Sequence, residues 1–169
     1  MASGKVVLKV GDDISTDIIY PGRFMATVLP TETPQFAFAD DTEFNKKLKA
    51  KETAAGSFIV AGRNFGCGSS REQAVSCIKG HALTVVARDF ARIFLQNAIN
   101  LGLAMVICPT IEANEGDELE IAGGAVVNRA SGRKFPIVPL PKARQAIIDA
   151  GGLIPYTRRL LMERGVAKG

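Results

Sequence analysis

The chain has 169 residues, 47% hydrophobic and 22% charged, with a formal charge of +4. Those proportions belong to a globular chain able to bury a real core, so a single domain over residues 1–169 is expected and a disordered or fibrous protein is excluded. No apolar run nears membrane-spanning length and the first residues lack a signal-like apolar region, so a cytoplasmic location is the expectation. Three cysteines (Cys67, Cys77, Cys108) and one histidine (His81) give neither a disulfide framework nor metal-ligand spacing, and no metal ligand set is expected.

Lys5 to Val10 is rich in β-branched residues and predicts a first strand, closed by the turn residues Gly11-Asp12-Asp13. Asp17 follows in Ser15-Thr16-Asp17, either as a turn carboxylate bonding its own backbone or as part of a site. Ile18-Ile19-Tyr20 reads as a short strand stopped by Pro21-Gly22. The apolar stretch Arg23 to Pro30 shows no period; a loop this apolar either packs down or covers something. Asp40-Asp41-Thr42-Glu43 is a capping-box pattern opening a helix through Phe44 and Leu48, with Lys46, Lys47, Lys49 and Lys51 on a solvated face.

From Ser57 to Cys108 the pattern is β-α-β-α-β. Strands are expected at 57–61, 83–87 and 103–107, with helices at about 70–79 and 90–101, and Gly80 and Gly102 stand where C-caps belong. Short apolar strands alternating with helices imply parallel pairing by right-handed crossovers, with ligands at the strand C-terminal ends. Past Pro109, residues 116–121 and 125–128 predict a hairpin about Gly123-Gly124, Ser131-Gly132 a further turn, and 133–138 a further strand. A helix over 141–150 ends at Gly151-Gly152, and an amphipathic segment over 156–163 follows. The fold class is therefore α/β, a parallel β-α-β-α-β core with added antiparallel strands.

The excess charge lies at the C-terminus, in Lys142, Arg144, Arg158, Arg159, Arg164 and Lys168 against Asp149 and Glu163. No aromatic platform accompanies it, which favours a solvated helix end or a subunit contact over a nucleic-acid patch.

The first core strand runs into Gly62-Arg63-Asn64-Phe65-Gly66-Cys67-Gly68-Ser69-Ser70-Arg71-Glu72-Gln73. Glycines let such a loop turn sharply, a helix start favours anions, and Arg71 offers a planar fork for a carboxylate or phosphate. Ser69-x-x-Glu72 and Ser70-x-x-Gln73 both fit a capping box, so either serine is a candidate cap. The loop lacks the Lys-Ser/Thr pair of a P-loop and the spacing of a dinucleotide fingerprint. Cys67 reads as a small residue fitting the turn or as a thiol activated by the helix start, Cys77 and Cys108 as core, and Arg88, Asp89 and Arg92 at the next strand–helix junction as structural groups rather than cleft-lining ones.

Gly66-Cys67-Gly68-Ser69-Ser70-Arg71-Glu72-Gln73 resembles the signature loop of the aconitase superfamily's swivel domain, which in two-subunit members is a separate small subunit. The likeness extends to Asp12–Ile19, Asp89–Phe94, Asn97–Asn100 and Ala150–Tyr156, in order along the chain. It is closest to the small subunits of 3-isopropylmalate dehydratase and of homoaconitase-type relatives. The resemblance implies a swivelling β/β/α domain serving a hydro-lyase that isomerises 2-isopropylmalate and 3-isopropylmalate by dehydration and rehydration in leucine biosynthesis.

It further implies Ser69 as catalytic base, Gly68, Ser70 and Arg71 as substrate-binding residues, and Thr16 and Asp17 as supports behind them. The substrate-selecting tetrad falls on Phe24-Met25-Ala26-Thr27, with Ala26 where enzymes acting on an extra carboxylate tend to carry Arg. No cofactor is expected on this chain; a 4Fe–4S cluster is expected on a large-subunit partner, in a heterodimer or heterotetramer acting on a small 2-hydroxy diacid, with no nucleic acid and no membrane. Related dehydratases acting on dimethylmalate, methylmalate or citraconate, or homoaconitate, and a non-catalytic anion- or nucleotide-binding module, are the rival readings.

Overall fold

A computed structural model describes residues 2–165. Its strands are β1 (Ala2–Lys9), β2 (Phe58–Ala61), β3 (Thr84–Ala87), β4 (Met105–Ile107), β5 (Glu118–Ala122), β6 (Ala125–Asn128) and β7 (Lys134–Pro136). Its helices are α1 (Thr16–Ile19), α2 (Thr42–Lys49), α3 (Glu72–Gly80), α4 (Arg92–Leu101), α5 (Lys142–Asp149) and α6 (Leu153–Glu163). The strands make one mixed sheet in the order β4-β3-β2-β1-β5-β6-β7. β4, β3, β2 and β1 run parallel to one another and the β5-β6-β7 meander is antiparallel.

β1 joins the two halves. Residues Ala2 to Lys5 pair antiparallel with β5, and from Val6 onward the strand pairs parallel with β2, with a register irregularity between Val6 and Leu8. β2 and β3 are buried at every position, which is why both read as apolar runs, broken only by Thr84 at the start of β3. Their side chains alternate between two cores. Ile59, Ala61, Val85 and Ala87 pack under α3 and α4 with Val75, Ile78, Phe94 and Ile99. Phe58, Val60 and Val86 face Leu119, Val126 and Phe135.

The β-α-β-α-β core stands where the sequence predicts it, with elements one to two residues shorter at some ends. The Gly123-Gly124 hairpin turn has both residues at positive φ, the twist that suits a two-residue hairpin. Asp41 caps α2, its carboxylate accepting the Phe44 N–H at 3.0 Å. Three expectations are corrected. Ile18-Ile19-Tyr20 is not a strand: Ser15 caps α1 by accepting the Ile18 N–H, and Ile19 and Tyr20 are carried into the core. α3 is capped by neither serine but by Arg71, without a side-chain cap bond. Gly80 is the last residue of α3 rather than its C-cap. It is glycine there because a Cβ would lie 2.2 Å from Pro34 Cγ. Gly102 does cap α4 in the left-handed conformation.

Candidate active site

The glycine-rich loop between β2 and α3 is held by backbone bonds to the segment leading into α1. The Gly66 N–H donates to the Ile14 carbonyl at 2.7 Å and the Thr16 N–H to the Cys67 carbonyl at 2.8 Å. Gly66 has φ +83°, and a Cβ there would lie 2.2 Å from Phe94 Cγ, so both conformation and space exclude any larger residue. Phe94 belongs to an edge-on pair with Phe65 that anchors the loop's first half on α4. Asp12 accepts the Arg63 N–H at 2.7 Å and Asp89 the Asn64 N–H at 2.6 Å, so Asp89 has the structural role expected of it.

Beyond Gly68, at φ +97°, the chain presents Ser69 and Ser70, both exposed. Thr16 is buried and spends its hydroxyl on Ser69 twice: Oγ1 accepts the Ser69 N–H and lies 3.2 Å from Ser69 Oγ. That engagement explains why Ser69 does not cap α3. The chain stays extended through Arg71, and the helix begins after it. The Ser70 hydroxyl is not a cap either; the Ser70 carbonyl accepts Nδ2 of Asn97 on α4 at 3.1 Å.

The Arg71 side chain is mostly buried, and its Nη1 donates to Asp17 Oδ1 at 2.7 Å and to the Tyr20 carbonyl at 3.2 Å. Arg71 Nε is covered and has no hydrogen-bond partner. The guanidinium, together with the Gly22 N–H at 2.8 Å, holds the Asp17 carboxyl below its ordinary value of 3.8. Asp17 thus satisfies backbone in its own turn and anchors Arg71 as well; the two roles are one geometry.

The tetrad Phe24-Met25-Ala26-Thr27 lies beside this cluster. Its Thr27 N–H closes a turn on the Phe24 carbonyl at 2.9 Å, and Gln73 on α3 reaches the Met25 carbonyl at 3.4 Å. Phe24 does not line an open wall: it stacks on Phe36 at 4.1 Å. The open apolar surface is Met25, Val28 and Leu29. Arg23 turns away onto Asp40 at 2.5 Å.

Ser69, Ser70, Arg71, Gly68, Thr16, Asp17 and the tetrad are therefore one patch. Tyr20, Gly22, Gln73 and Asn97 belong to its framework; Gln73 and Asn97 lay within quoted motifs but were given no role, and Tyr20 and Gly22 were read only as a strand end and its stop, because their contacts depend on how the chain folds. A recess of about 720 Å³, lined among others by Lys9, Asp12, Arg88, Asp117 and Arg133, contains none of Ser69, Ser70 or Arg71. The chemistry-bearing patch is an open surface, not a closed cavity.

Among the described residues no group of three or more His, Cys, Asp or Glu is placed to hold a metal. Cys77 and Cys108 are buried apart from one another in different cores, and burial pushes the Cys77 thiol far up and the Cys108 thiol up to about 11. Thiols so placed do not fit an iron–sulfur cluster, whose ligands are thiolates. No helix among the described residues is long and apolar enough to cross a membrane.

The aconitase C-terminal domain family matches residues 13–109, which spans both the Ser15-Thr16-Asp17 segment and the glycine-rich loop. Relatives extend over nearly the whole chain. The 3-isopropylmalate dehydratase small subunit of Methanosarcina mazei is 43% identical over 160 residues, 92% of this chain and 96% of that one. The isopropylmalate/citramalate isomerase small subunit of Methanocaldococcus jannaschii is 42% identical over 163 residues, 93% of this chain and 94% of that one. A crystal structure of 3-isopropylmalate dehydratase (leuD) from Methanocaldococcus jannaschii superposes with a TM-score of 0.84 at 38% identity, covering 97% of this chain and 98% of that one. The chain belongs to the aconitase C-terminal domain family, within the group whose members carry the name 3-isopropylmalate dehydratase small subunit.

Proposed function

We propose that this chain is the small subunit of a hydro-lyase that interconverts 2-isopropylmalate and 3-isopropylmalate in leucine biosynthesis, at work in the cytoplasm and active only with a large subunit. The observation that carries the reading is the exposed Ser69 hydroxyl, paired with Thr16 and set beside Arg71, in a chain whose near full-length relatives bear that name. The thiols here do not fit a 4Fe–4S cluster, so in this reading the cluster belongs to the large subunit, together with the group that assists the leaving hydroxide.

This chain's residues bind the diacid and move one proton. A base is needed for the proton beside a carboxylate, and a serine serves only if its anion is stabilised. The Thr16 hydroxyl, 3.2 Å from Ser69 Oγ, can donate to that anion, and Arg71 stands two residues further along with its guanidinium held on Asp17, the neighbour of Thr16. Arg71 spends Nη1 on Asp17 and the Tyr20 carbonyl and keeps Nη2 for a substrate carboxylate, assisted by Ser70 and the Gly68 backbone. Met25, Val28 and Leu29 offer apolar surface for a branched alkyl group, and the cation at Arg23 is occupied by Asp40. Burying an isopropyl group there would contribute about 2 kcal/mol.

Anaerobic reconstitution with the large subunit and a panel of 2-hydroxy diacids tests this. Isopropylmalate turnover above that of homocitrate-type substrates is expected; the reverse order would defeat the reading. A methyl-bearing malate is the second substrate to try, because the Methanocaldococcus relative is named for citramalate as well.

A further inference from the structure

Tyr20 is fully buried, yet its hydroxyl is not idle in the core. It reaches the carbonyl oxygens of Phe24 and Thr27, each 3.2 Å away, with one proton shared between two acceptors. Those carbonyls are the two ends of the turn that the Thr27 N–H closes on Phe24, so the phenol lies across the mouth of the tetrad. The ring meets Phe36 edge-on, and Phe36 in turn stacks on Phe24. The Tyr20 backbone carbonyl accepts Arg71 Nη1. One residue therefore touches both the alkyl-facing turn and the guanidinium assigned to a substrate carboxylate.

Two neighbours tighten the same junction. The Gly22 N–H donates to Asp17 Oδ1, and a Cβ on Gly22 would lie 3.2 Å from that oxygen and 3.3 Å from Arg71 Nη2, leaving little slack between turn and ion pair. Gln73 Nε2 contacts the Met25 carbonyl from the first turn of α3. Burial pushes the Tyr20 phenol above its ordinary value of 10, so it remains a proton donor at any working pH.

We propose that Tyr20 is a positioning residue: its hydroxyl sets the shape of the Phe24–Thr27 turn and its backbone carbonyl ties that turn to Arg71, so alkyl-group selection and carboxylate binding are coupled through one buried residue. The kinetic consequence rests on the function proposed above; the structural one does not.

Tyr20→Phe removes only the hydroxyl and keeps the ring that packs on Phe36, so the chain should fold. Hydrogen exchange on the full chain should show the amides of Met25 to Val28 exchanging about five-fold faster, the scale of one lost hydrogen bond, while Ala74 to Lys79 on α3 are unchanged. In the reconstituted enzyme, KM for the isopropyl-bearing malate should rise about five-fold with kcat changed less than two-fold. The preference for isopropyl over methyl substituents should narrow with it. Unchanged loop exchange overturns the proposal. So does a loss of active enzyme with KM and substrate preference intact, the signature of a merely structural residue. If the wild-type enzyme turns over no alkylmalate, the function reading fails, and the exchange measurement alone decides whether Tyr20 holds the turn.

Discussion

Ser69 has one hydroxyl partner in the protein, Thr16, and solvent around the rest of its side chain. Removing its Oγ leaves the Thr16 contact to the Ser69 N–H in place, so the loop has no reason to collapse. Ser69→Ala should therefore lower kcat of the reconstituted enzyme by at least ~10²-fold with the melting temperature unchanged. Near-normal turnover in Ser69→Ala, with turnover lost in Ser70→Ala, would assign the base to the other serine. Asp17 makes a pH statement. Its carboxyl is depressed in the folded chain, first by the Arg71 hydrogen bond and then by the Gly22 N–H. A depressed carboxylate contributes stability above its unfolded value and loses it as pH falls through the folded one. The Asp17–Arg71 tie should thus be intact throughout the neutral range and open only below the ordinary 3.8. An NMR titration of the Asp17 side chain should show a midpoint below that value, and a midpoint at or above it would contradict the geometry.

Elements were legible where a local pattern and the tertiary environment agreed. β2 and β3 are covered on both faces, so their apolar runs announced them, and Gly102 marked the end of α4 because only the left-handed conformation fits there. α1 was misread because four residues carry no period; a Ser15 cap and the burial of Ile19 and Tyr20 decide it. The cap of α3 was misread for a related reason. Thr16, far away in sequence, takes Ser69 out of the helix, and no capping-box pattern contains that information. Gly80 lets packing and propensity be weighed against each other. Ala in place of a helical Gly normally stabilises by about 1 kcal/mol. Here the new methyl would meet Pro34 Cγ at 2.2 Å, and overpacking costs about 1–3 kcal/mol. Gly80→Ala should lower the melting temperature; a rise would show that Pro34 yields freely. In the tetrad, Ala26 is exposed and uncharged, and the Arg23 cation is held by Asp40. Ala26→Arg should move the kcat/KM ratio toward tricarboxylates by about ten-fold or more, since an unpaired buried carboxylate is costly and a cation relieves it.

At the scale of the molecule, the candidate site was legible as a set of residues that the fold brings together but not as a surface. Motifs named Ser69, Arg71 and Asp17, whereas the fact that they sit on an open face, outside the 720 Å³ recess, emerges only from the fold. An open face with chemistry on it fits a chain that completes its site against another. The purified chain alone should accordingly bind less than one iron per molecule after anaerobic reconstitution and show no dehydratase activity, by iron analysis and alkene absorbance. A brown preparation with cluster absorption would overturn this. The basic excess at the C-terminus is carried by Lys142 and Arg144 on α5, Arg158 and Arg159 on α6 and by Arg164, all exposed; Lys168 lies outside the described residues.

β1 also sets an order of events during synthesis. Its Val6-to-Lys9 half finds a partner once β2 is made, but its Ala2-to-Lys5 half must wait for β5, after the whole parallel core has emerged. At about 5–20 residues per second that interval lasts seconds, and through it the growing chain carries a bare hydrogen-bonding edge beside a parallel core still uncovered on its second face. Such an edge is a template for pairing with another nascent chain. The strand that unites the finished sheet is thus the one most exposed to misassembly on the ribosome, and slowing translation between β2 and β5 should raise the aggregated fraction more than slowing it after β7.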